Sequence, residues 1–124
     1  MNILNTIQAI RVKWSATFPD FPLSFQLAQA TAKPPYAVLR FSRITPNEPT
    51  TTYRDWETTG TFYLFDVSDT AIIAKAQTLS DAFDRGVITG VDSSLVQSVE
   101  IDVNYTDQGA LWSATVPVEF RWTT

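Results

Sequence analysis

SVEIDVNY, residues 98–105, alternates strictly between polar and apolar side chains, and ALWSATVPVEFRW, residues 110–122, keeps one fully apolar parity. Val99, Ile101, Val103 and Tyr105 fall on one side of the first segment, with Glu100, Asp102 and Asn104 on the other. In the second, Trp112, Ala114, Val116, Val118, Phe120 and Trp122 share a parity against Ser113, Thr115, Glu119 and Arg121. Two such segments joined by a short polar link predict a long terminal hairpin whose apolar side is a core face. The apolar set is odd-numbered in one segment and even-numbered in the other. The link must therefore hold an even number of residues to bring both sets to one face. Gln108-Gly109 or Thr106–Gly109 meets that condition, whereas a three-residue link, Asp107–Gly109, sets Trp112 beside the carboxylates. Pro117 has no N–H, which predicts either a sheet-edge position for the last strand or an unpaired site within it.

Upstream of the hairpin, SDTAIIAKAQTLSDAFDRG is the clearest helix. Ser68 or Asp69 caps it, Ile72, Ala76, Leu79 and Phe83 form its apolar stripe, and Gly86 is placed to end it in a left-handed conformation. Ala71, Ala74 and Ala82 give a small face for close packing. A second helix is predicted over about residues 2–17, from Ile3, Ile7, Ile10 and Trp14 with Leu4 widening the stripe. Pro19 and Pro22 end it, and a short strand from Leu23 to Ala28 follows. PPYAVLRFSRI becomes a strand at Tyr36, with Val38 and Ile44 on one parity and Leu39 and Phe41 on the other, so both faces are expected to be covered. WETTGTFYLFDV is a further strand, Trp56 to Val67, in which Gly60 marks a bulge or the close approach of another backbone. Between these strands, TPNEPTTTYRD has no periodicity and is longer than common hairpin loops, predicting a projecting arm over 45–55. Residues 87–94 read as a connector with a short strand.

The order helix, strands, helix, hairpin gives an α+β fold: an antiparallel sheet with two helices on one face and a C-terminal β-hairpin. At 124 residues the chain reads as one domain, 1–124, large enough for a core without disulfides or metal. The N-terminal stretch lacks the unbroken apolar core of a signal peptide, and no apolar run has the length of a membrane span.

Composition removes most chemistry. There is no cysteine and no histidine, so thiolate nucleophiles, imidazole bases and the usual transition-metal ligands are missing. A net charge of −4 with scattered Lys and Arg argues against a broad grip on nucleic acid. Glu100, Asp102 and Glu119 form the best carboxylate cluster, suited on paper to acid–base work or a hard cation, but an ordinary solvated face explains them better. Asp66 and Asp69 are expected to cap and favour the second helix, and Asp81 and Asp84 flank its far end. DVSDT lacks the glycine and distal glutamate of a calcium loop, and the four glycines are too dispersed for a phosphate loop. Among the aromatics Tyr53, Trp56, Tyr63, Phe65 and Trp122, the group Tyr53, Arg54 and Trp56 is expected at a subunit or tube interface, where Tyr, Trp and Arg are enriched.

The succession of N-terminal helix, PPYAVLRF, loop, TGTFYLFDVSDTAIIAKAQTLSDAF and a hairpin ending VPVEFRW resembles the tail terminator, or tail-completion, proteins of long-tailed bacteriophages, over nearly the whole chain. The resemblance implies a non-enzymatic structural protein without cofactor. Such proteins form a ring, commonly hexameric, at the head-proximal end of the tail tube, stop tube growth and present the surface for a neck or head-completion protein. It implies partners in sister copies, tail tube protein and neck, and passage of DNA without specific binding. The implied location is the virion tail or neck, and the host cytoplasm before assembly. In such a ring Glu100, Asp102 and Glu119 are expected to face the lumen, where an acidic wall repels passing phosphates.

Overall fold

The computed structural model describes residues 3–26, 33–49, 54–107 and 109–123, without the side chains of 47–49 and 54. The elements are α1 (Ile3–Thr17), β1 (Leu23–Phe25), β2 (Tyr36–Pro49), β3 (Arg54–Asp66), α2 (Asp69–Phe83), β4 (Ser93–Val96), β5 (Glu100–Thr106) and β6 (Gly109–Thr123). They form one six-stranded sheet in the order β1-β2-β3-β6-β4, with β5 also on β6. All pairings are antiparallel except β1 with β2, which is parallel. β4 and β5 share one edge of β6 end to end: β4 pairs with Val118–Arg121 and β5 with Gly109–Thr115.

The even-numbered residues of β3 and β6 make the core face. Phe62 and Leu64 on β3, and Ala114, Val116, Val118, Phe120 and Trp122 on β6, are buried with Ile72, Ala76, Leu79 and Phe83 of α2 and Ile10 and Trp14 of α1. Trp14 stacks on Phe62 at 5.4 Å, and Phe83 lies 5.1 Å from the same ring on the other side of the helical layer. Both helices therefore cover one face, as the sequence predicts, and Phe62 is the residue they share. The Trp14 indole N–H donates to the Phe21 carbonyl at 2.8 Å, which satisfies a buried donor and folds the proline turn back onto the core.

Ser68 caps α2 by accepting from the Ala71 N–H at 3.3 Å, and the predicted stripe is the buried one. At its far end the prediction is corrected: Arg85, not Gly86, takes the left-handed conformation, with φ 58°. Gly86 is needed for a different reason, since a Cβ there would stand 1.9 Å from the Ala82 carbonyl oxygen. Of the alanines, Ala76 is the buried one, Ala71 and Ala82 are half-buried and Ala74 is exposed. In α1 the stripe is also rotated, because buried Thr6 joins Ile10 and Trp14 while Ile3 and Leu4 are exposed.

The strands bring further corrections. β1 stops at Phe25, where Gln26 turns with φ 67°. A register shift in β2 between Phe41 and Ile44 puts Ile44, opposite Thr58, on the same face as Phe41, opposite Gly60. Extra residues on one strand reverse parity downstream, and nothing in a bare alternation marks where that happens. Gly60 lies opposite the start of this irregularity and makes room for side chains, not for a backbone. A Cβ there would be 2.9 Å from the Phe41 ring and 3.0 Å from Leu39 and Phe120. The expected arm over 45–55 is largely strand: Thr45, Pro46 and Pro49 pair with Glu57, Trp56 and Arg54, and residues 50–53 lie outside the described set. The prolines are tolerated because β1 pairs only with Ala37–Leu39, which leaves this part of β2 at the sheet margin.

The hairpin register pairs Thr106 with Gly109 and Val103 with Trp112, so the link has the even count expected but begins one residue earlier than Gln108. Pro117 is interior, between β3 and the β4/β5 edge, and not at the sheet margin. Its carbonyl accepts from Gln97 N at 2.9 Å, so the nitrogen without hydrogen faces the break between β4 and β5, where no ladder bond is required.

Candidate functional site

The core-face prediction fails for β5. Its odd residues do share a face with the buried row of β6, but no helix reaches over them. Val99, Ile101 and Tyr105 remain 43%, 40% and 79% exposed, and only Val103 is half-buried. Strand alternation fixes which side a residue is on; whether that side is covered depends on the helix, which ends over β3, β4 and β6.

Glu100, Asp102 and Glu119 all lie on the helix-free face but do not cluster. Glu100 and Asp102 stand opposite Thr115 and Ser113, whereas Glu119 stands opposite Thr59 and Leu95. Glu119 is thus four residues along β6 from the partner of Glu100, roughly 13 Å at about 3.3 Å per residue. It accepts from Arg121 Nε at 2.9 Å, and Arg121 Nη2 lies 3.6 Å from Glu57 Oε2, giving a row of two half-buried carboxylates about one exposed guanidinium. Asp102 accepts from the N–H of Val103 at 2.8 Å. Among the described residues, no three carboxylates gather to hold a cation. The acids flanking α2 are likewise engaged locally: Asp66 pairs with Lys75 and accepts from Val67 N, Asp69 accepts from Thr70 N, and Asp84 accepts from Val96 N. Asp66 therefore anchors the middle of α2 to the sheet instead of capping its start.

Of the expected interface group, Tyr53 lies outside the described residues. Arg54 sits in β3 opposite Pro49, and Trp56 turns to the helix-bearing face, half-buried and stacked 6.4 Å from Trp122. Trp56 therefore extends the core towards the arm. Trp122 is itself core, and its indole N–H is buried without a partner among the described residues. On the helix-free face, Tyr36 stacks on Phe65 at 4.8 Å beside half-buried Tyr63 and buried Val38, leaving an aromatic patch with no second layer of described residues over it.

Sequence reasoning missed the far end of the sheet. There β2 presents exposed Arg40 and Arg43, and the helix-bearing side has an open cleft of 370 Å³ whose apolar lining is Ile7, Phe25, Phe41 and Ile44. Arg11 of α1 stands over the Phe25 ring at 4.3 Å. The two arginines of RFSR within an otherwise apolar strand were the available signal. Arg40 pairs opposite Thr61 and so lies on the helix-free face, and Arg43, next to Ile44, returns to that face after the register shift.

No protein-family model matches the chain, and no curated protein matches it. Among solved structures, it is similar to a chain from the virion of a native gene transfer agent particle. The TM-score is 0.58 and the identity 9%, over 96% of this chain and 92% of that one. The two share a fold from end to end.

Proposed function

We propose that the chain is a structural protein of a phage-like virion and, more closely, a tail terminator. In this reading, copies form a ring, with six as the expected number, at the head-proximal end of the tail tube. The ring stops tube polymerisation and offers the docking surface for the neck. The observation that carries the reading is the end-to-end fold likeness to a chain of a gene transfer agent virion. The surfaces agree with it: an uncovered apolar strand at one end, a basic margin at the other and an unlayered sheet face suit contact between chains. The carboxylates are dispersed or engaged by neighbours, which suits a structural role over acid–base or cation chemistry.

In such a ring the helix-free face borders the passage. On its strands the described side chains include five carboxylates, Asp55, Glu57, Glu100, Asp102 and Glu119, against three guanidiniums, Arg40, Arg43 and Arg121. A wall of that balance repels DNA weakly and binds none of it specifically, because duplex DNA carries about one negative charge per 1.7 Å. The chain would reside in the tail or neck of the virion, and in the host cytoplasm beforehand. A neck or stopper ring shares the same fold support; binding to tail tube ends in preference to the capsid portal separates the two.

Electron microscopy of the purified chain, alone and mixed with tail tube protein, tests the reading. Rings that cap one tube end and shorten the tubes are expected. Tubes that grow to unchanged length with no ring would reject it. Calorimetric titration with magnesium, manganese or calcium is expected to show no binding heat.

A further inference from the structure

The two ends of the sheet are complementary in charge, shape and strand direction. At one end, β5 pairs only with β6, so its outer edge has no strand partner among the described residues. At the other, β1 covers β2 no further than Leu39. The Gln26 side chain accepts the Phe41 N–H at 2.9 Å, and beyond Phe41 this edge of β2 has no strand partner among the described residues. On the helix-free face, β5 carries Glu100 and Asp102 while β2 carries Arg40 and Arg43, all four exposed. On the helix-bearing face, β5 raises Ile101 and Tyr105, with exposed Val99 just before the strand, while the β2 end holds the apolar cleft of Ile7, Phe25, Phe41 and Ile44.

Direction agrees as well. β5 is antiparallel to β6, β6 to β3 and β3 to β2, so β5 runs opposite to β2. Asp102 is level with Tyr36 across the sheet, so a second copy with the same face up, slid at least about four residues (roughly 13 Å) along the strands, presents the Arg40–Thr45 stretch of its β2 antiparallel to the first copy's β5. Acid then meets base on one face, and apolar row meets cleft on the other.

We infer that the β5 edge of one copy docks on the Arg40–Thr45 margin of the next, continuing the sheet from chain to chain. This is a head-to-tail contact in which the two surfaces differ, and such contacts close into rings when the rotation allows. An unblunted apolar edge strand is otherwise an aggregation hazard, which a designated partner removes. The inference rests on the ring reading and names the surfaces that build the ring.

The test uses two charge-reversed chains, Glu100→Arg/Asp102→Arg and Arg40→Glu/Arg43→Glu, with native circular dichroism as the check on folding. Sedimentation velocity over a concentration series, with electron microscopy of the largest species, reads assembly. Each variant alone is expected to associate at least about tenfold more weakly than the wild type, since like charges now face one another. An equimolar mixture should recover assembly, because one chain then has two basic edges and the other two acidic edges. Wild-type association should also weaken from low to high salt. Rings that persist undiminished in both variants would overturn the surface assignment and leave the ring reading standing. A mixture that fails to recover would overturn head-to-tail pairing. A wild-type chain that forms no higher species, alone or on tail tubes, would overturn both readings.

Discussion

β5 and β6 lie side by side with the same apolar alternation and meet opposite fates. The even row of β6 is buried from Ala114 to Trp122, while in the matching row of β5 Ile101 and Tyr105 stand in solvent and Val103 is half-buried. The difference is not in the strands. α2 packs on β3, β4 and β6 but stops short of β5, so one apolar row closes the monomer and the other is left to something outside it. An alternating strand states that a face will be covered; it does not state by which chain.

Substitutions on the two rows turn that comparison into numbers. The largest effect is expected at Phe62, which both helices contact. Phe62→Ala should lower the unfolding free energy by about 3–5 kcal/mol, measured by urea denaturation. Gly60→Val comes next, because its side chain would meet Phe41, Leu39 and Phe120; a loss of about 1–3 kcal/mol in the same assay is expected. Ser68→Ala removes the cap of α2 without touching either row and should cost about 1 kcal/mol. The smallest effect belongs to β5. Ile101→Ser or Tyr105→Ser should leave monomer stability within about 0.5 kcal/mol of the wild type. A loss at Ile101 comparable to that at Phe62 would show that β5 is part of the monomer core after all.

What could be read from sequence follows the range of the forces involved. Both helices, the buried stripe of α2 and the Ser68 cap are local features and were legible. So was the parity of the hairpin, because an even link is the only way to join odd to even on one face. Three features were not legible, each for a non-local reason. The reversal of parity before Ile44 depends on how β2 meets β3, the solvent exposure of Ile101 on where α2 ends, and the strand character of Pro46 on β1 leaving that margin open. The carboxylates show the same limit. Glu100 and Asp102 were correctly placed on one face, yet Glu119 is separated from them because β4 takes the C-terminal half of the β6 edge. The residue type of Trp56 points to a contact surface, and its stack on Trp122 also gives it a place in the monomer.

Amide hydrogen exchange across Val99–Tyr105, compared between dilute and assembled protein, addresses the account most directly. The β5 amides that face away from β6 should exchange rapidly in the dilute chain and become protected on assembly, together with those of Ser42–Thr45, while the β3 and β6 amides and the β5 amides bonded to β6 remain slow throughout. Assembly that leaves the exchange of these outward-facing amides unchanged, or outward-facing amides already as protected in the dilute chain as those of β6, would contradict it.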